Sequence, residues 1–123
     1  MPSKAHESKI EEIRREILSR SMEWKVKKGF QVWLPNENAF GLIDVVGFKK
    51  ATNISPAIVQ GFEVEENSGD LQQKRNLEKL RQLEVSFPSN VKVQTCQLSA
   101  SEDHKQKCFK KPTPSNQKTF IKR

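Results

Sequence analysis

Three carboxylates set in two short apolar stretches are the residues best suited to do chemistry. Asp44 lies inside Leu42-Ile43-Asp44-Val45-Val46, and Glu63 and Glu65 lie inside Ile58-Val59-Gln60-Gly61-Phe62-Glu63-Val64-Glu65. Side chains alternate faces along a strand, so Phe62 and Val64 fall on one face of the second stretch and Val59, Glu63 and Glu65 on the other. A charge among apolar neighbours is costly to bury unless it is neutralised, hydrogen-bonded or bound to a cation. Acids on adjacent strands could supply a hard, oxygen-rich site for a divalent ion such as Mg²⁺. An E-x-E pair is also what the solvated face of a half-exposed strand looks like. Asp44, with apolar residues on both sides, does not fit that plainer description.

The elements that must position these acids follow from periodicity. Ile10, Ile13, Ile17 and Leu18 make one apolar helical stripe, and Ser8-Lys9-Ile10-Glu11 fits a capping box, which predicts a first helix from Ser8 or earlier to about Arg20. If that helix starts early, His6 and Glu7 project on its core-facing side. Trp24, Val26, Phe30, Val32 and Leu34 share one parity, and Trp24 to Leu34 reads as a long strand or a kinked pair, with Gly29 as a candidate bulge. Trp33, on the polar parity, is expected to pack, with base stacking as its functional alternative. Pro35-Asn36-Glu37-Asn38 is turn chemistry and makes a hairpin into Gly41. Two further strands, Gly41–Phe48 and Ala57–Glu66, complete a meander. Asp70, with Gln73 as capping partner, opens a second helix whose expected apolar stripe is Leu71, Leu77, Leu80 and Leu83. Asn90–Leu98 reads as a fourth strand, Ser101–Phe109 as one or two helical turns, and Lys110–Asn116 as a linker. Thr119-Phe120-Ile121 reads as an edge strand or as unpacked chain.

With 123 residues, 34% hydrophobic and 30% charged, the chain suits one domain with a modest core. The expected division is a domain over residues 1–100 and a basic tail over 101–123. The net charge of +7 is compatible with an anionic partner, and nucleic acid is the commonest large one. The segment from Ser101 onward carries +5 of it, so the folded part is nearly neutral. No apolar run is long enough for a membrane span, and the N-terminus lacks the apolar segment of a secretory signal, which together predict a cytoplasmic protein. Cys96, His104 and Cys108 fall one ligand short of a zinc set, so free thiols are expected. The phosphate loop, the nucleophile elbow and the H-E-x-x-H signature are absent from the sequence.

The order α-β-β-β-α-β, with acids on the second and third strands, resembles the PD-(D/E)xK phosphodiesterase superfamily. That superfamily has the restriction-endonuclease-like fold and includes archaeal Holliday-junction resolvases. The resemblance covers about residues 6–100. It implies an α/β fold with a central mixed sheet flanked by helices. Ile43-Asp44-Val45-Val46 looks like the first motif, and Gly61-Phe62-Glu63-Val64-Glu65 like the second, with Asp44 and Glu63 as metal ligands. The usual lysine of the second motif is replaced by Glu65, as in the E-x-E members of the family. In other members the lysine moves to the following helix, where Lys74 is the candidate, and Gln72 or Gln73 could also point into the site. The first-helix glutamate that often completes such sites corresponds here to Glu7.

The resemblance implies a Mg²⁺- or Mn²⁺-dependent endonuclease that hydrolyses DNA, in preference to RNA, by structure or backbone recognition. Asp44, Glu63, Glu65 and Lys74 would be catalytic, and Asp44, Glu63 and Glu7 would hold the metal. Lys49, Lys50, Lys110 and Lys111 would contact the nucleic-acid backbone. A homodimer is a further expectation, since members of this fold often dimerise. Two alternatives stand beside it. One is a nuclease-fold module that binds nucleic acid or serves in assembly without catalysis, motivated by the missing lysine at position 65. The other is a small interaction domain whose basic tail binds an acidic protein or RNA.

Overall fold

The computed structural model describes residues 4–66 and 74–108. Its centre is a four-stranded sheet of order β1-β2-β3-β4, made by β1 (Trp24–Leu34), β2 (Ala39–Lys49), β3 (Ile58–Glu65) and β4 (Lys92–Ser99). The first three strands form an antiparallel meander. β4 instead runs parallel to β3, which requires a crossover, and α2 (Lys74–Val85) supplies it. α1 (Lys4–Leu18) precedes the sheet and α3 (His104–Cys108) follows it. The fold class is α/β with a mixed sheet and helices. No helix among the described residues is long and apolar enough to cross a membrane.

The two helices cover opposite faces of the sheet, and strand alternation decides which residues each one meets. Ile10, Ile13 and Ile17 of α1 pack on Trp24, Val45, Phe62, Val64 and Leu98. Leu80 and Leu83 of α2 pack on Val32, Leu34, Ile43, Val46 and Val59. The separation of Phe62 and Val64 from Val59 along β3 therefore follows its expected parity.

β1 does not keep its parity. Trp24 and Val26 belong to the α1 side, whereas Phe30, Val32 and Leu34 belong to the α2 side, although all have even numbers. The switch occurs at Gly29, whose φ of 72° is readily adopted only by glycine. The pairing between β1 and β2 has the same register on both sides of Gly29, from Lys28 opposite Val45 to Phe30 opposite Ile43. The expected bulge, with its extra residue, is therefore absent, and the strand changes face without slipping. β2 follows its partner: Ile43 joins the α2 side and Val45 the α1 side, so Asp44 sits where the alternation is reset. This is why Asp44 has apolar neighbours on both faces.

Three local expectations are corrected. α1 begins at Lys4, so Ser8 and Glu11 lie within the helix and form no capping box at its start. A tertiary bond from His6 to the Val64 carbonyl, 2.8 Å long, holds this early turn in place. On α2, Leu77 is exposed, and the buried face is Asn76, Lys79, Leu80 and Leu83. Cys96 and Cys108 are joined as a disulfide rather than left as free thiols, tying α3 to β4. The seven residues of α3 and its approach from Glu102 thus pack on the sheet, inside the stretch expected as tail, and His104 is buried there. Asp70, Leu71, Gln72 and Gln73, and the tail residues Lys110, Lys111 and Thr119–Ile121, lie outside the described residues.

Candidate functional site

β2 and β3 part at the two acids. Their ladder runs from Lys49 opposite Ile58 to Val45 opposite Phe62 and stops there. Beyond that point side chains take over the backbone groups that the ladder leaves unpaired. The Asp44 amide donates to Glu63 Oε1 at 3.1 Å, and the Val64 amide donates to Asp44 Oδ2 at 2.8 Å. The two carboxylates thus fill the fork between the strands, each bonded to the opposite strand. A buried amide left without a partner would cost free energy, so the acids are part of the sheet's structure as well as its charge.

Each acid is supported from a different helix. From α1, His6 places Nε2 3.6 Å from Asp44 Oδ2. From α2, Lys79 places Nζ 2.7 Å from Glu63 Oε2 and donates to the Leu42 carbonyl at 2.9 Å. One turn earlier on the same face, Asn76 donates to Glu65 Oε2 at 2.7 Å. The stem of Lys79 reaches the fork by crossing β2 at Gly41. A β-carbon there would stand 2.9 Å from the Lys79 Cδ, so the absence of a side chain makes the approach possible.

Glu63 is 2% exposed, and its electrostatics record the conflict at the fork. Burial, followed by the charge of Asp44, pushes its carboxyl from 4.5 up to about 7, against the opposing pull of Lys79. Two carboxylates held this close disfavour double ionisation, and a cation between or beside them relieves the repulsion. Lys79 already serves as one such cation. Asp44 and Glu63 are the pair that a divalent ion could bridge, and Asp44 is the more accessible of the two. Among the described residues no group of three or more His, Cys, Asp or Glu side chains is arranged to hold a metal.

The structure brings Asp44, Glu63 and, through Asn76, Glu65 to one end of the sheet. It does not bring Lys74 or Glu7 into the fork. Lys74 is exposed at the start of α2, lining a cavity of about 430 Å³ with Leu34, Asn36, Glu37, Arg75 and Glu78. Glu7 points outward, its Oε2 3.9 Å from His6 Nδ1. Lys49, the last paired residue of the β2–β3 ladder, and Lys50 after it lie at the far end, about 17 Å or more from Asp44 at the rise of a strand. The residue that sequence reasoning missed is Lys79. Its signal was present: Asn76, Lys79, Leu80 and Leu83 have the i, i+3, i+4, i+7 spacing of one helical face, competing with the leucine-only stripe. Comparisons with protein-family models, with curated proteins and with solved structures find no match.

Proposed function

We propose that the chain is a metal-dependent endonuclease of the restriction-endonuclease-like type, hydrolysing DNA phosphodiester bonds with an E-x-E second motif. The observation that carries the reading is the convergence of Asp44, Glu63 and Lys79, from three separate elements, at the fork between β2 and β3. The lysine missing at position 65 has a counterpart in Lys79 on the following helix. Asp44 and Glu63 would hold Mg²⁺ or Mn²⁺, which when bound supplies a Lewis acid and lowers the pKa of a water. Lys79 would offset charge on the phosphate, exchanging its bonds to Glu63 and Leu42. Glu65, oriented by Asn76, would accept a proton from the attacking water. Recognition would be through the backbone, with a cytoplasmic setting and a homodimer as parts of the same proposal. The Cys96–Cys108 disulfide weighs against the cytoplasmic setting, where thiols are normally kept reduced.

A second reading is favoured by the pair Lys79–Glu63 itself. With Glu63 Oε1 taken by an amide and Oε2 by an ammonium, the fork is internally satisfied. A nuclease fold that binds nucleic acid without cleaving it would need nothing more. Titration of Mn²⁺ by calorimetry, on wild type beside Asp44→Ala, separates the two. The nuclease reading expects binding that the variant loses, and cleavage of branched or linear DNA that disappears in Asp44→Ala and Glu63→Ala. Cleavage unchanged in Asp44→Ala would overturn it, and wild-type protein that neither binds Mn²⁺ nor cuts DNA would favour the non-catalytic module.

A further inference from the structure

The face switch at Gly29 creates a second surface beside the fork. On the α1 side of the hairpin, beyond the switch, stand Gln31 opposite Leu42 and Trp33 opposite Phe40. α1 covers this side lower down, where His6 meets Asp44. Trp33 is 42% exposed, Phe40 59% and Leu42 51%. Trp33 and Phe40 meet edge to face, with ring centroids 5.1 Å apart, and both remain partly exposed. Phe40 and Leu42 alternate along β2 on this side, and Asp44, at the reset, is approached from the same side by His6, which places Leu42 about 7 Å and Phe40 about 14 Å from the acid. Lys28, exposed and opposite Val45, adds a cation at the border of this face.

We propose that this face is a stacking platform for unpaired nucleotides. The substrate class it implies is a nucleic acid with a single-stranded segment adjoining the phosphate at the fork, as distinct from a blunt duplex. The inference rests on the proposed function for what happens at Asp44, but the platform itself rests on the exposed rings. Three features select this occupant. Aromatic faces stack on any base without sequence preference. Lys28, exposed on the same face, supplies a phosphate partner. The face is continuous along one strand with the carboxylate that would receive the phosphate. A second copy of the chain is disfavoured by size, since three partly exposed side chains present on the order of a few hundred Å², below the roughly 800 Å² that each partner of a stable interface contributes.

The test is equilibrium binding of an oligothymidylate and of a blunt duplex of equal length to the full chain, in EDTA. Omitting the metal keeps failure of the platform separate from failure of catalysis. Trp33→Ala and Phe40→Ala are each expected to weaken oligothymidylate binding about tenfold or more and duplex binding less than about twofold, with Trp33→Phe retaining most of the affinity. Oligothymidylate should also quench the fluorescence of the wild-type protein, through Trp33, whatever the folding of the variants. Equal losses on both ligands, no loss, or no quenching would overturn the proposal. So would a fall in sedimentation mass in Trp33→Ala, which would mark the face as a contact between copies.

Discussion

The two helical layers differ in what they bury, and the difference separates support from chemistry. α1 presses three isoleucines on an apolar wall of Trp24, Val45, Phe62, Val64 and Leu98, and its buried Lys9 pairs with Glu12 along the helix itself. α2 presses two leucines on a similar wall, and the polar members of its buried face, Asn76 and Lys79, bond to acids of the sheet. These polar groups are aligned with Glu65 and Glu63 of β3. A helix needs only apolar side chains to hold a sheet. Burying an ammonium and a carboxylate costs solvation, and the pair stabilises only because its members meet. The α1 layer is therefore expected to respond to lost volume, and the α2 layer to lost charge and to pH.

The largest effect should come from Lys79→Ala. It leaves Glu63 buried without its ammonium, expected to cost about 3–5 kcal/mol at pH 8. Glu63 titrates near 7 in the folded chain against 4.5 ordinarily, so between those values the folded state holds a proton that the unfolded state has released. The contribution of Glu63 is thus full below pH 4.5 and is lost as pH rises through 7. Removing Lys79 takes away a group that favours ionisation, so the loss of stability should be much smaller at pH 5 than at pH 8. Urea unfolding at the two values checks this, and equal losses would mean that the pair is not the cause.

Ile13→Ala, at a position 0% exposed under α1, should cost about 3 kcal/mol for lost apolar contact and the cavity left behind. Its cost should be the same at both pH values, since no titrating group is involved. A strong pH dependence in this variant would erase the contrast between the layers. Gly41→Ala should be the mildest, about 1–2 kcal/mol, because the added methyl crowds the flexible stem of Lys79 and the Leu34 side chain. The informative readout is the pH midpoint of its stability profile, which should move upward as Lys79 is pushed away from Glu63.

Much of this arrangement was legible in the sequence, and the parts that were not share a physical cause. Local periodicity marked the order of elements, and the alternation in β3 correctly separated Phe62 and Val64 from Glu63. The isolated acid at Asp44 pointed to a special position, and the structure sets it against Glu63. Other features depended on the phase of one element against another. The choice between Lys74 and Lys79 turns on which face of α2 meets the sheet, and a buried lysine violates the rule by which that face is usually found. The change of face in β1 depends on one dihedral at Gly29, and its parity alone gave five apolar residues on one side. The disulfide depends on α3 folding back to β4, and two cysteines twelve residues apart do not state that on their own.

Among the described residues β1 is the outer strand on its side of the sheet, so half of its backbone groups face no described strand. Such an edge invites another chain to add itself and continue the ladder, the route by which sheets aggregate. Lys25, Lys27 and Lys28 are all exposed along this strand. Two copies approaching edge to edge would bring these lysines near one another, and the repulsion would act before any backbone bond could form. The same short run, which ends at Gly29, thus opposes edge-to-edge addition at the outer strand.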